Sequence, residues 1–137
     1  MSGKLDLFIY DKSGNLIERH SNNNLIVTSG YQSTVEALAG AAGAVVSKIG
    51  VGTNNVAPAL SDTTLQNMQS FTLTGVEYPV PLSVRFNFSV GFGDANGMDI
   101  CEWGLVTADN RLYSRLTREY IQKTNEIMIL GSWTINI

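Results

Sequence analysis

The sequence predicts an all-β fold: an antiparallel β-sandwich of jelly-roll type with one short helix, occupying a single domain over residues 1–137. Three observations carry that expectation. Apolar and polar residues alternate at the two-residue period of half-buried strands over residues 82–90, and again from 127 to 137. Helical periodicity is confined to one stretch near residues 30–40, and no strand–helix–strand rhythm accompanies it. Clusters of Gly, Asn, Asp and Ser separate about eight or nine such strands. With 137 residues, 44% of them apolar and 15% charged, the chain can bury one core without disulfides.

Taken in order, residues 5–10 form a strand, and Asp11-Lys12-Ser13-Gly14-Asn15 reverses the backbone into residues 16–19. Ser21 to Asn24 reads as a second polar reversal, after which Leu25-Ile26-Val27 is a short strand of branched residues. Ser29 and Gln32 match capping-box spacing, and Tyr31, Val35, Leu38, Ala39 and Ala42 share one face, so a helix over about 30–40 is expected to lie on the core. Gly40 and Gly43 suit its termination, and residues 45–51 return to extended chain. From Gly50 to Leu65 the mixture of small, polar and proline residues predicts an exposed, ordered loop. Residues 71–73 begin another strand, whereas Pro79 and Pro81 exclude a central strand between Tyr78 and Leu82 and predict an edge or bend.

The second half is a meander. After the strand at 82–90, Gly91 to Gly97 turns the chain, residues 100–107 form the next strand, and Ala108-Asp109-Asn110 leads into 112–117. A two-residue turn there places Trp103 opposite Leu116 on one face and Glu102 opposite Thr117 on the other. The closing strand covers 127–137.

Charge and residue counts exclude several functions. Nine Lys+Arg against twelve Asp+Glu give a net charge of −3, so no broad basic surface follows a phosphate backbone and no nucleic-acid partner is expected. No window approaches the roughly 18 apolar residues of a spanning helix, and the N-terminus lacks a signal-peptide run, so no membrane partner is expected and synthesis is placed in the cytoplasm. One cysteine, Cys101, and one histidine, His20, cannot build an ordinary zinc site; no metal and no cofactor are expected.

Catalytic equipment is equally sparse. His20 ends a hairpin strand, no G-x-S-x-G elbow occurs, and Cys101 lies in apolar context, which favours a surface histidine and a buried, inert thiol. Asp94, Asp99 and Glu102 are spaced closely enough for a carboxylate pair acting on a polysaccharide, the one hydrolytic alternative. Residues 94–99 imitate the opening of a calcium loop, but position twelve, where a bidentate acid is required, is Leu105. Gly50 to Asn55 lacks the Lys-Ser/Thr pair of a phosphate loop. Arg111, Arg115 and Arg118 form a basic cluster beside Asp109, Glu102 and Glu119, readable as cross-strand ion pairs. Glu102 inside Ile-Cys-Glu-Trp-Gly-Leu-Val must face solvent or find a partner, Arg115 or Arg85, and is expected to tie neighbouring strands together.

Motif order adds a family likeness. Asn24-Leu25-Ile26-Val27-Thr28-Ser29-Gly30, the helix, then Ile49-Gly50-Val51-Gly52-Thr53 through Pro58 to Asp62-Thr63-Thr64-Leu65 resembles an arrangement found in small structural proteins of tailed-bacteriophage virions. Glu102-Trp103-Gly104-Leu105-Val106, Asn110-Arg111-Leu112-Tyr113-Ser114-Arg115 and Ile121-Gln122-Lys123-Thr124 resemble the closing E-x-G-L, L-[FY]-x-R and I-x-K-x segments of that family. The likeness covers residues 24–137; Trp103 stands where a smaller residue is common, and the first hairpin lies outside the pattern.

The resemblance implies a non-catalytic virion protein, with capsid cement or decoration on the head exterior as the first expectation and a tail or receptor-binding component as the alternative. Its implied partners are the major capsid protein and further copies of itself, as a homodimer or homotrimer. Glu102, Trp103 and Arg115 are the expected structural residues. Contacts with a partner are expected at Thr53, Asn54, Asn55, Pro58 and Asp62 in the loop and at Pro79 and Pro81 on the edge.

Overall fold

A computed structural model describes residues 1–137. Nine strands and one helix follow in the order β1 (Ser2–Asp11), β2 (Leu16–Ile26), α1 (Thr28–Leu38), β3 (Val46–Gly52), β4 (Gln69–Thr72), β5 (Gly75–Glu77), β6 (Ser83–Val90), β7 (Asp99–Thr107), β8 (Leu112–Gln122) and β9 (Ile127–Asn136), with a single 3-10 turn at Ala42–Ala44 before β3. The fold is all-β and antiparallel throughout. No helix is long and apolar enough to cross a membrane.

The strands form one curled sheet in the order β4-β3-β7-β8-β2-β1-β9-β6-β5. Strand β2 is the corner: its first residues pair with β1, while Leu25 and Ile26 pair with Arg115 and Ser114 of β8. The two halves therefore face each other as layers. Inward residues of β1, β6 and β9 (Leu5, Leu7, Phe88, Trp133) meet those of β3, β7 and β8 (Ile49, Trp103, Leu105, Leu116) in a single core. Phe88 and Trp103 join the layers, their ring centroids 6.1 Å apart and tilted by 40°. Gly131 lies opposite Phe88 in the β6–β9 register, and a side chain there would overlap the Phe88 ring, so only glycine leaves room for that contact.

The register expected across β7 and β8 is observed, with Trp103 paired to Leu116 and Glu102 to Thr117. Two other expectations are corrected. Ser21 to Asn24 does not reverse the chain: these residues continue β2 and pair with Asp6, Leu5, Lys4 and Gly3 of β1. Side chains of β2 are largely exposed, so their polarity reflects contact with water and not a turn.

The helix is also oriented differently. Val27 is its N-cap and no side chain caps it; the Ser29 hydroxyl instead donates to the Leu112 carbonyl on β8. Gly30 and Ser33 are its buried residues, and Tyr31, Val35 and Leu38 face solvent. Gly30 permits this because a Cβ there would collide with the Tyr113 carbonyl, so the backbone of α1 approaches β8 along its small-residue side. Before the prolines, the chain also forms the short edge strand β5 against β6, which the sequence did not suggest.

Candidate functional site

Thr53 to Gln66 leaves the end of β3 and returns beside its own start: the Thr53 N–H donates to the Gln66 carbonyl at 3.1 Å. This closed, exposed excursion is an Ω-type loop. Backbone of such a loop has no ladder partners, so something else must satisfy and position it. Glu102 does so from β7. Its Oε1 accepts the N–H groups of Asn54 at 2.9 Å and Gln66 at 2.7 Å, gripping the loop at both ends.

The other oxygen, Oε2, accepts Arg115 Nε at 2.9 Å. Arg115, on β8, then reaches into the loop: Nη1 donates to Asp62 Oδ2 at 2.9 Å and Nη2 to the Asn54 carbonyl at 3.4 Å. Asp62 Oδ2 also accepts the Ala59 N–H at 2.8 Å, and the Leu60 carbonyl accepts the Thr28 N–H at 2.9 Å. Glu102 is 0% and Arg115 3% exposed, so this ion pair lies out of water. Desolvation of both ions is costly; the geometry offsets it because three donors converge on the Glu102 carboxylate and the guanidinium finds three acceptors. Gly52 makes room, since a side chain there would strike the Glu102 carboxylate.

The sequence-derived contact residues divide accordingly. Asn54 and Asp62 point partly inward and organise the loop; Asn54 Oδ1 also accepts the Val56 N–H at 3.0 Å. Thr53 Oγ1 accepts from Asn67 Nδ2 at 3.1 Å. Asn55 is exposed and Pro58 half-buried. Pro79 and Pro81 are exposed in the turn between β5 and β6, on a different part of the surface from the loop. Trp103 is fully buried in the core. Arg85 pairs with Glu77 at 4.0 Å and is not the partner of Glu102.

Several other charged groups are engaged, but Arg118, expected beside Glu119, forms no ion pair and its Nη1 is buried without a hydrogen-bond partner. Arg111 holds Asp109 at 2.9 Å and also contacts Glu36 on α1. The Arg111 hydrogen bond, followed by one from Thr107, lowers the Asp109 carboxyl from 3.8 to about 2. Burial pushes the Cys101 thiol up, with the Glu102 carboxylate adding to the effect. His20 Nε2 lies 2.8 Å from Glu18. In the segment that imitates a calcium loop, Asp94 Oδ2 accepts the Gly91 N–H at 2.9 Å. A lysine binds one oxygen of this segment and two beside it: Lys123 Nζ, 0% exposed, donates to Asn96 Oδ1 and the Thr124 carbonyl at 2.9 Å and to the Phe92 carbonyl at 3.5 Å. Burial lowers the pKa of that ammonium.

Sequence reasoning missed the buried role of Lys123 and the inward role of Asp62. It also missed an apolar groove of about 710 Å³ between the end of α1 and strands β5, β6 and β9. The signal was present in Val76, Tyr78, Val80 and Leu82, large apolar residues in a stretch that Pro79 and Pro81 bar from being a central strand. Comparison with protein-family models, with curated proteins and with solved structures finds no match for this chain.

Proposed function

We propose that this chain is a structural protein of a tailed-bacteriophage virion, acting as capsid cement or decoration on the outside of the head and bridging subunits of the major capsid protein. The observation that supports this reading is the buried Glu102–Arg115–Asp62 network, whose contacts serve to hold one exposed loop in a fixed shape. A loop ordered in advance loses little conformational entropy on docking, so a modest contact area yields useful affinity. Many copies engaging one closed shell then multiply modest individual contacts.

The role is binding and not turnover. Glu102, one of the three carboxylates the sequence offers for hydrolysis, has both oxygens engaged and no access to a substrate. The tail or receptor-binding reading draws on a different place: a polar cleft of about 330 Å³ whose lining includes Asn55, Asp99, Arg118 and the exposed Tyr120, a combination suited to a saccharide.

The test is to compare particles with and without the protein for the temperature and internal pressure at which heads rupture, and to image labelled copies. Rupture at lower temperature without the protein, with label distributed over the head, is expected. An unchanged threshold, or label confined to tail tips, overturns the cement role.

A further inference from the structure

Strands β2 and β8 are neighbours in the sheet, yet they pair only where Leu25 and Ile26 meet Arg115 and Ser114. Beyond that contact they diverge: β2 over residues 16–24 pairs with β1 alone, and β8 over residues 116–122 with β7 alone. Each leaves one backbone edge without a partner. The Val27 N–H donates to the Tyr113 carbonyl, so odd-numbered residues at this end of β2 aim their backbone groups toward β8 and even-numbered ones toward β1. The N–H and C=O groups of Arg19 and Ser21 therefore face the gap, about 7 Å apart along the strand. Free edges are normally kept short or interrupted by proline. The outermost strands, β4 and β5, have four and three residues, whereas β2 has eleven and no proline.

Between the diverging strands lies a cleft of about 520 Å³, with Ile9, Ile121 and Ile127 among its lining and Arg118 on its β8 side. Arg118 belongs to a bulge, residues 118–120 standing opposite Cys101 alone, which takes it out of the ladder. Its Nη1 is buried with no acceptor, a costly state that an oxygen entering the cleft relieves. We infer that this cleft takes an extended polypeptide segment, which adds as a strand to the free edge of β2. N–H and C=O groups recurring at every second residue are the complement of another extended backbone. The isoleucines set the side-chain requirement, an apolar residue at alternate positions, and a carbonyl of the added strand gives Arg118 its acceptor. Strand β2 of a second copy fails that requirement. Its Glu18, His20 and Asn22 share the inward face with Ile9, Leu7 and Leu5, so they would set polar groups against the isoleucines.

This inference does not rest on the capsid reading. Its test is to pan a library of random linear heptapeptides on the full chain and to follow the enriched peptides by NMR. Enriched sequences should carry apolar residues at alternate positions and slow amide exchange at Arg19 and Ser21. Ser21→Pro removes one edge N–H and should weaken their binding by about tenfold or more. Ser21 is exposed and its N–H points away from β1, so this variant should melt close to the wild type. Arg118→Met should weaken binding by about tenfold without touching the edge. The inference is overturned if no peptide is enriched, or if both variants bind the peptides as the wild type does. It is equally overturned if an array of neutral oligosaccharides binds the cleft in place of peptides, or if sedimentation shows a dimer that Ser21→Pro dissociates.

Discussion

Replacing Glu102 by alanine isolates what holds the exposed loop. The change leaves Arg115, 3% exposed, with Asp62 as its remaining carboxylate, and it strips the Asn54 and Gln66 N–H groups of their shared acceptor. Removing one partner of a buried ion pair typically costs about 3–5 kcal/mol, because the other charge stays out of water. The two orphaned N–H groups lie near the surface, where water can reach them as the loop loosens, so they add little to that figure. For a chain of this length each kcal/mol lowers the melting temperature by roughly 3.5 °C, and Glu102→Ala should lose about 10–17 °C by calorimetry. Glu119→Ala, on the exposed part of β8, should stay within about 0.5 kcal/mol of the wild type. Glutamine is no rescue, since it turns an amide donor either toward the Arg115 N–H or toward the two loop amides. Amide exchange should quicken across residues 54–66 well before the core strands respond. Losses equal and negligible for Glu102→Ala and Glu119→Ala, or loop amides exchanging as slowly as in wild type, would refute the reasoning.

Further outcomes follow from the same geometry. Gly131→Ala, which drives a methyl group into the Phe88 ring, should cost about 1–3 kcal/mol by urea denaturation, whereas Gly93→Ala, with nothing near it, should be almost silent. Lys123→Met keeps the buried stem but removes the ammonium from three oxygens; the desolvation saved offsets part of the loss, and about 1–2 kcal/mol of destabilisation is expected, with exchange accelerated over residues 91–97. The Asp109 carboxyl is depressed in the folded chain from 3.8 to about 2, so its contribution to stability is fully present above pH 3.8 and disappears as pH falls through about 2. Carbon-detected NMR of the carboxyl should show that low midpoint, and Arg111→Met should return it toward 3.8.

What the sequence disclosed depended on whether burial or exposure shaped it. Strand β6 was legible because one face is buried and the other wet, so Phe86, Phe88 and Val90 alternate with Arg85, Asn87 and Ser89. The β7–β8 register was legible from the short connection alone, since β7 is buried on both faces from Ile100 to Thr107 and no wet face marks it. Glu102 stood out because a carboxylate in an apolar strand needs a partner, and Arg115 lies within reach across the ladder. Asp62 could not be paired in advance: it is fifty-three positions from Arg115, and only the return of the loop brings it there. In β2 and α1 composition misled, since polar residues of a strand facing water imitate a turn, and an apolar helix stripe facing solvent imitates a core face.

That helix stripe links the two surfaces. Strand β3 runs from Val46, at the groove, to Gly52, where the loop begins, a span of about 20 Å at the rise of an extended strand. Helix α1 runs in parallel function: Thr28 at its start bonds Leu60 of the loop, and Leu38 at its end lines the groove, about 15 Å along the axis. Both connections are regular elements packed on one core, so neither can bend without breaking ladder or helix hydrogen bonds. A chain built this way holds the groove and the loop at a fixed separation. The bridging role proposed above draws on that property, because strain applied at the loop is carried by β3 and α1 and not absorbed by a hinge.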